Sequence, residues 1–170
     1  MLSDINAKGS IKMDFSIREA TEQDYEGLCN IFAEGDLLHS QALPQIFATP
    51  QEPFRNREFI CEILKDKSAV MFVAESGGEI IGLIHVLIRE STDIPIMVKR
   101  RYAYISDIAV AEGRRGSGIG KSLMREVERW AIQQNTSQLE LNVWDFNTNA
   151  IAFFQKLGYA SSRHNMWKSV

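Results

Sequence analysis

The chain has 170 residues, 45% of them hydrophobic and 24% charged, with a formal net charge of −3. That is enough length for one domain with a sizeable core. The composition is that of an ordinary globular protein, with no basic excess of the kind that marks a nucleic-acid-binding surface. Cys29 and Cys61 are too few for a disulfide framework, no apolar run approaches the roughly 20 residues that cross a bilayer, and the first ten residues, with Asp4, Asn6 and Gly9, lack the apolar stretch of a secretory signal. The expected setting is therefore the cytoplasm, with neither a nucleic acid nor a membrane as partner.

Residues 1–13 show neither periodicity nor caps and read as a mobile N-terminal tail, leaving 14–170 as a single domain. Phe15 to Ala20 is a short strand. Thr21, three residues before Asp24, opens a helix whose apolar positions are Tyr25, Leu28, Ile31 and Phe32, and Gly35 is expected to end it. From Asp36 to Pro53 the pattern is irregular, with a short helical stretch near Leu37 to Ala42. Phe54 to Lys65 reads as a helix burying Phe59, Ile60, Ile63 and Leu64.

A hairpin follows: Ala69 to Ala74, the Gly77-Gly78 turn, and Ile80 to Ile88. After a polar connection, Tyr102 to Val110 is a strand apolar on both faces, suited to an inner position in a sheet. Ile119, Leu123, Met124, Val127 and Trp130 give the next helix one apolar stripe. Leu139 to Trp144 reads as a strand, Asn147 to Lys156 as a helix stopped by Gly158, and Tyr159 to Lys168 as a terminal strand or strand pair. The order predicts an α/β (α+β) architecture with one core and no repeat.

The stretch from Val110 to Lys121 holds the chemistry. A strand there enters a glycine-rich turn, Arg114-Arg115-Gly116-Ser117-Gly118-Ile119-Gly120-Lys121, that opens into a helix. Such a turn aims unpaired N–H groups outward at the positive end of the helix dipole, a geometry suited to phosphate. A Walker A loop requires a glycine five residues before Gly120, where Arg115 stands. A dinucleotide fingerprint opening on Gly118 and Gly120 would need its last glycine where Leu123 stands. What remains is Arg115-x-x-Gly118-x-Gly120 after a strand ending in Val110.

This turn, Ile108-Ala109-Val110 before it, and Leu141-Asn-Val-Trp-Asp-Phe-Asn147-Thr-Asn-Ala150-Ile-Ala-Phe-Phe154-Gln-Lys-Leu-Gly158-Tyr159 after it resemble the two cofactor-side motifs of GNAT-type N-acetyltransferases. The resemblance implies a central mixed, mostly antiparallel sheet flanked by helices on both faces, with acetyl-CoA as co-substrate and no metal. The backbone amides of Arg115, Gly116, Ser117, Gly118, Ile119, Gly120 and Lys121 would cradle the pyrophosphate. Ile108, Ala109 and Val110 would pair with the pantetheine arm, an N–H near Val110 would act as oxyanion donor, and Asn147 would reach the cofactor. The implied acceptor is a small-molecule amine or a peptide amine. Dimers are frequent among similar proteins, so a homodimer stands beside a monomer as the expected assembly.

Two positions depart from the family pattern. Phe154 stands where a tyrosine hydroxyl commonly protonates the departing thiolate, and Asn142 where some relatives carry a glutamate base. Those departures motivate an alternative, a non-catalytic acyl-CoA-binding module. Replacement candidates are Tyr104, Asp107 and His85, with Ser106, Glu75 and Tyr159 behind them. Each also has a plain structural reading as strand packing or a satisfied polar group. Strict alternation would set Tyr104 and Ser106 on the face of Ile108 and Val110, with Asp107 opposite. Asp36 and His39 could shape the acceptor site, though an isolated loop histidine is more often structural. A glutamate at Gly118 or Gly120 is expected to block the anion site and leave the fold intact.

Overall fold

The computed structural model describes residues 14–49 and 55–168; the N-terminal segment 1–13 and residues 50–54, which include Pro50, Pro53 and Phe54, lie outside the described residues. Five strands form one sheet in chain order: β1 (Ser16–Glu19), β2 (Ala69–Ser76), β3 (Glu79–Glu90), β4 (Arg101–Val110) and β5 (Leu139–Leu141). The first four pair antiparallel and β5 pairs parallel to β4. β3 is the middle strand, and its run from Ile80 to Val86 is buried throughout, as a strand covered on both faces should be.

Helices α1 (Tyr25–Ala42) and α2 (Arg57–Lys65) cover one face, and α3 (Ile119–Gln133) and α4 (Thr148–Lys156) the other. The alternation of β3 divides its side chains between these layers. Ile84 and Val86 join Leu123, Met124 and Val127 of α3, whereas Leu83 joins Leu28 and Ile31 of α1. Full burial of each such aliphatic side chain stabilises by about 1.5–3 kcal/mol. Gly82 lets α3 sit close: a Cβ there would meet the Ala109 carbonyl oxygen at 3.1 Å and Ile119 Cγ2 at 3.2 Å.

Arg18 ties β1 into this frame. Its guanidinium reaches Asp24 Oδ1 and Oδ2 at 2.7 and 2.8 Å and Glu75 Oε2 at 2.6 Å. Asp24 also accepts from the Thr21 amide at 2.7 Å, closing the expected cap. Arg18 and Thr21 hold the Asp24 carboxyl at about 2 against the opposing effect of burial. Glu75 is thus a partner of Arg18, not a group of the functional cavity.

Four expectations change. First, α1 does not stop at Gly35 but runs to Ala42. Glycine in a helix interior costs about 1 kcal/mol relative to alanine, which burial of Leu28, Ile31 and Phe32 on the same helix outweighs. Second, Phe59 is 45% exposed, because Ile60 alone faces the sheet fully and its neighbour points about 100° away around the helix.

Third, β5 ends at Leu141, three residues short of the expected strand. Fourth, no strand forms between Tyr159 and Lys168. The polar run Ser161-Ser-Arg-His-Asn165 lacks the alternation that a half-buried strand needs. Tyr159 N–H instead bonds the Phe154 carbonyl at 3.1 Å and closes α4.

Candidate active site

Strand β4 carries a bulge that resets its faces. His85 pairs with Asp107 and Val86 with Ile105, leaving Ser106 opposite no residue of β3. Ile105 and Ile108 both point into the α3–α4 layer, while Ala109 packs in the α1–α2 layer. Asp107 accordingly faces the α1–α2 side, as alternation predicts. Tyr104 does too, in contrast to its expected place beside Ile108 and Val110, because the extra residue at the bulge shifts the period.

The pairing of β4 with β5 stops at Ile105 and Leu141. Beyond it the chain at Asn142 to Phe146 turns away to begin α4. Among the described residues, the outward edge of β4 from Ser106 to Val110 therefore has no strand neighbour. A cavity of about 160 Å³ opens in the gap. Its walls include Ile108 and Ala109 from β4, Asn142 and Trp144 after β5, Asn147, Ala150 and Phe154 at α4, and Gly35, Asp36 and His39 from α1. Gly35 serves the site here: a Cβ would meet nothing within 4 Å, so any larger side chain would extend into open space at the cavity wall.

One end of β4 leads into the glycine turn. Gly118, with φ +87°, is the residue before α3, and Gly116 has φ +80°, conformations that L side chains rarely adopt. The first α3 bond within this turn is Ser122 N–H to the Gly118 carbonyl at 3.0 Å. Among the described residues the backbone amides from Gly116 to Lys121 have no acceptor. A Cβ at Gly116 or Gly118 would meet nothing within 4 Å, so the turn has an open concave side of the kind an anion fills. Gly120 differs: its Cβ would press on the Phe153 ring at 3.2 Å. A glutamate there disturbs the α3–α4 contact as well as any anion site, contrary to the expectation of an intact fold. Arg115 donates to the Val110 carbonyl at 3.1 Å and lies 3.7 Å from Glu34.

The charged side chains gather on the α1 side of the cavity. Arg55 stacks on Phe32, 4.0 Å from its centroid, and reaches Asp36 Oδ2 at 2.5 Å and Asp107 Oδ1 at 4.0 Å. His85 Nδ1 lies 3.5 Å from Asp107 Oδ2. Burial pushes the Asp107 carboxyl up, but bonds from His85 and Ser106 and the charge of Arg55 outweigh it and hold the group below its ordinary value. His39 Nδ1 lies 2.7 Å from the Gly35 carbonyl. A carbonyl can only accept, so Nδ1 carries a proton and Nε2 of the neutral ring keeps its lone pair.

Of the residues singled out in the sequence, Ser106, Asp107, Ile108, Ala109, Asn142, Asn147 and Phe154 share the cavity wall with Asp36 and His39, and His85 stands behind Asp107. Val110 and the glycine turn continue from the end of that wall. Asn147 caps α4 by accepting from Ala150 N–H at 3.1 Å and lines the cavity too. Tyr104 is not in the wall; its hydroxyl accepts from Asn142, which is, at 3.0 Å. Tyr159 packs on Phe154, and its buried hydroxyl has no partner among the described residues.

His39 lies on a helix instead of a loop and belongs to the wall because α1 carries it one turn past Gly35, while its bond to the Gly35 carbonyl agrees with the structural reading. Arg55 escaped the sequence reading altogether. It lies just before α2, in what reads as the first turn of the 54–65 helix, and only the fold brings it against Asp36 and Asp107.

Residues 35–159 match the model of the acetyltransferase (GNAT) family. An N-alpha-acetyltransferase of Sulfurisphaera tokodaii is 33% identical over 106 residues, which cover 59% of this chain and 62% of that protein. The chain thus spans less than two thirds of that relative's length. Among solved structures, a mutant of the BH1408 protein from Bacillus halodurans superposes with a TM-score of 0.87 at 28% identity, covering 91% of this chain and 99% of that one. An aminoglycoside N-acetyltransferase solved with CoA has the same fold, with a TM-score of 0.69 at 18% identity over 92% of this chain and 95% of that one.

Proposed function

Because the chain belongs to the acetyltransferase (GNAT) family, we propose that it transfers an acetyl group from acetyl-CoA to a primary amine by direct attack in a ternary complex. The observation that carries this reading is continuity. The unpaired edge of β4 runs from the charged cavity straight into a turn of unpaired amides at a helix N-terminus. An extended thioester ending in a pyrophosphate matches that sequence of surfaces in length order and in chemistry.

In this reading the amides of residues 116–121 hold the pyrophosphate, the Arg115 N–H being taken by the Glu112 carbonyl at 3.3 Å, and Ile108, Ala109 and Val110 pair with the extended arm. The Val110 N–H is the donor toward the acyl oxygen, where charge develops in acyl transfer. Asn147 fixes the start of α4 beside the arm. When bound, acetyl-CoA supplies an activated acyl carbon and a thiolate leaving group. The amine nitrogen forms the new C–N bond, the C–S bond breaks, and its electron pair leaves on sulfur.

The proton lost by nitrogen needs an acceptor. A carboxylate held below its ordinary value is a weak base, so Asp107 is assigned to docking the ammonium form. His85, whose Nδ1 faces Asp107 Oδ2 at 3.5 Å, orients that carboxylate, and the proton passes to solvent water. Tyr104 acts through Asn142, which it anchors in the wall. No acid is assigned at Phe154: a thiol with a pKa of about 8.5 departs tolerably as thiolate.

Calorimetry with CoA, followed by thiol release over an amine panel, tests the reading. Binding with amine-dependent release is expected. No binding at millimolar CoA overturns it, and binding with no turnover on any amine would leave a non-catalytic acyl-CoA-binding module.

A further inference from the structure

Four rings that meet at the mouth of the cavity come from three separate parts of the chain. His39 lies on α1, Phe47 in the turn after it, and Trp144 and Phe146 between β5 and α4. Phe47 packs tilted on His39 at 5.1 Å and edge-on to Trp144 at 5.4 Å, and His39 meets Phe146 edge-on at 5.5 Å. His39 and Trp144 belong to the cavity wall, and Trp144 is still 38% exposed. The wall therefore ends in aromatic surface open to a ligand.

The charges inside are few. Asp36 and Asp107 share one guanidinium, that of Arg55, which leaves an excess of one negative charge, enough for one ammonium group. The cavity, about 160 Å³ and open to solvent, has to hold the acyl group as well as the amino group, and the body of the acceptor then extends over the ring wall.

Resting on the acetyltransferase reading, we infer that the acceptor is a small monoamine whose amino group docks against Asp107, Asp36 being engaged by Arg55, and whose flat aromatic body lies on the ring wall. A polyamine or an aminoglycoside would bring further ammonium groups against apolar rings that already pack edge to face, with no further carboxylate among the described wall residues to meet them. The single excess charge selects one cation, and the wall selects what that cation is attached to. Trp144 is the specificity-determining residue, since it joins the wall to the cavity.

The test compares kcat/KM for phenethylamine, ethylamine, spermidine and kanamycin by thiol release. The wild-type protein is expected to favour phenethylamine over ethylamine by about tenfold, the scale of one well-packed ring contact. Trp144→Ala should lower that ratio about fivefold, chiefly through KM; as a ratio it is insensitive to the fraction of the variant that folds. Phe47→Ala should act in the same direction.

A ratio near one, a ratio unchanged in both variants, or a preference for spermidine or kanamycin overturns the inference and leaves the acetyltransferase reading standing. So does CoA binding without phenethylamine turnover, as far as the ring wall is concerned. Failure to bind CoA overturns the acetyltransferase reading itself.

Discussion

Replacing Gly118 separates the backbone role of the turn from its role toward an anion. With φ +87° and ψ −2°, Gly118 sits in the left-handed region, and a Cβ there would meet nothing within 4 Å. Any L residue thus costs about 1–2 kcal/mol of backbone strain and nothing in clashes. For a chain of this size that lowers Tm by roughly 3–6 °C, equally for Gly118→Ala and Gly118→Glu. The two variants differ in charge. A carboxylate about 5 Å from a phosphate interacts at about 3 kcal/mol per unit charge with an effective dielectric of 20. Because the turn is open to water, about 2 kcal/mol is the working figure, or roughly thirtyfold in affinity.

Scanning calorimetry gives the stabilities and titration calorimetry with CoA gives the affinities. CoA should bind Gly118→Glu about thirtyfold more weakly than Gly118→Ala, with the two Tm values nearly equal. Equal CoA affinities within about threefold would refute the assignment of this turn to the pyrophosphate.

Asp24→Asn removes the anchor of Arg18. A carboxyl held at about 2 instead of 3.8 corresponds to about 2.4 kcal/mol, which the 38% exposure of Arg18 reduces to about 1 kcal/mol. Since the folded value is depressed, this stability is present above pH 4 and is lost as pH falls toward 2, so wild-type and variant denaturation curves should converge there. Curves that stay separated at pH 2 would contradict that origin. Tyr159→Phe deletes a buried hydroxyl that has no partner among the described residues and whose ionisation burial pushes up to about 12. Stability should hold or rise by up to about 1 kcal/mol, and a fall of several degrees in Tm would show that the hydroxyl is bonded. Phe154→Tyr should leave kcat within about threefold, as measured by thiol release, if the thiolate departs without an acid. A rise of tenfold or more would show that protonation limits turnover.

The fold was legible where periodicity and glycines act together. The hairpin 69–88, the strand 101–110 and the stripe of α3 each carry one dominant pattern, and the structure follows them. It departs where tertiary burial overrides a local stop signal, as at Gly35, or where β5 is cut to three residues and leaves the polar C-terminal segment without a strand partner. The left-handed turn at Gly116 and Gly118 was readable because glycine spacing encodes that backbone conformation.

Of the charged and aromatic wall, Asp36 and His39 were named in the sequence but Arg55 and Trp144 were not, for a physical reason. The three segments that supply them are far apart in the chain, and they meet only once α1 is long enough to carry His39 to Phe47. The bulge at Ser106 was equally hidden. No residue there announces it, yet it decides that Tyr104 faces the same side as Asp107.

The central claim is that this site joins an acetyl group to an amine nitrogen, and mass spectrometry of the amine after incubation with protein and acetyl-CoA tests it most directly. The account predicts a product heavier by one acetyl group, formed in step with thiol release and slowed severalfold in Gly118→Glu at cofactor concentrations that only just saturate the wild-type protein. Thiol release without any acetylated amine, or an acetylated product formed equally by Gly118→Glu under those conditions, would contradict it.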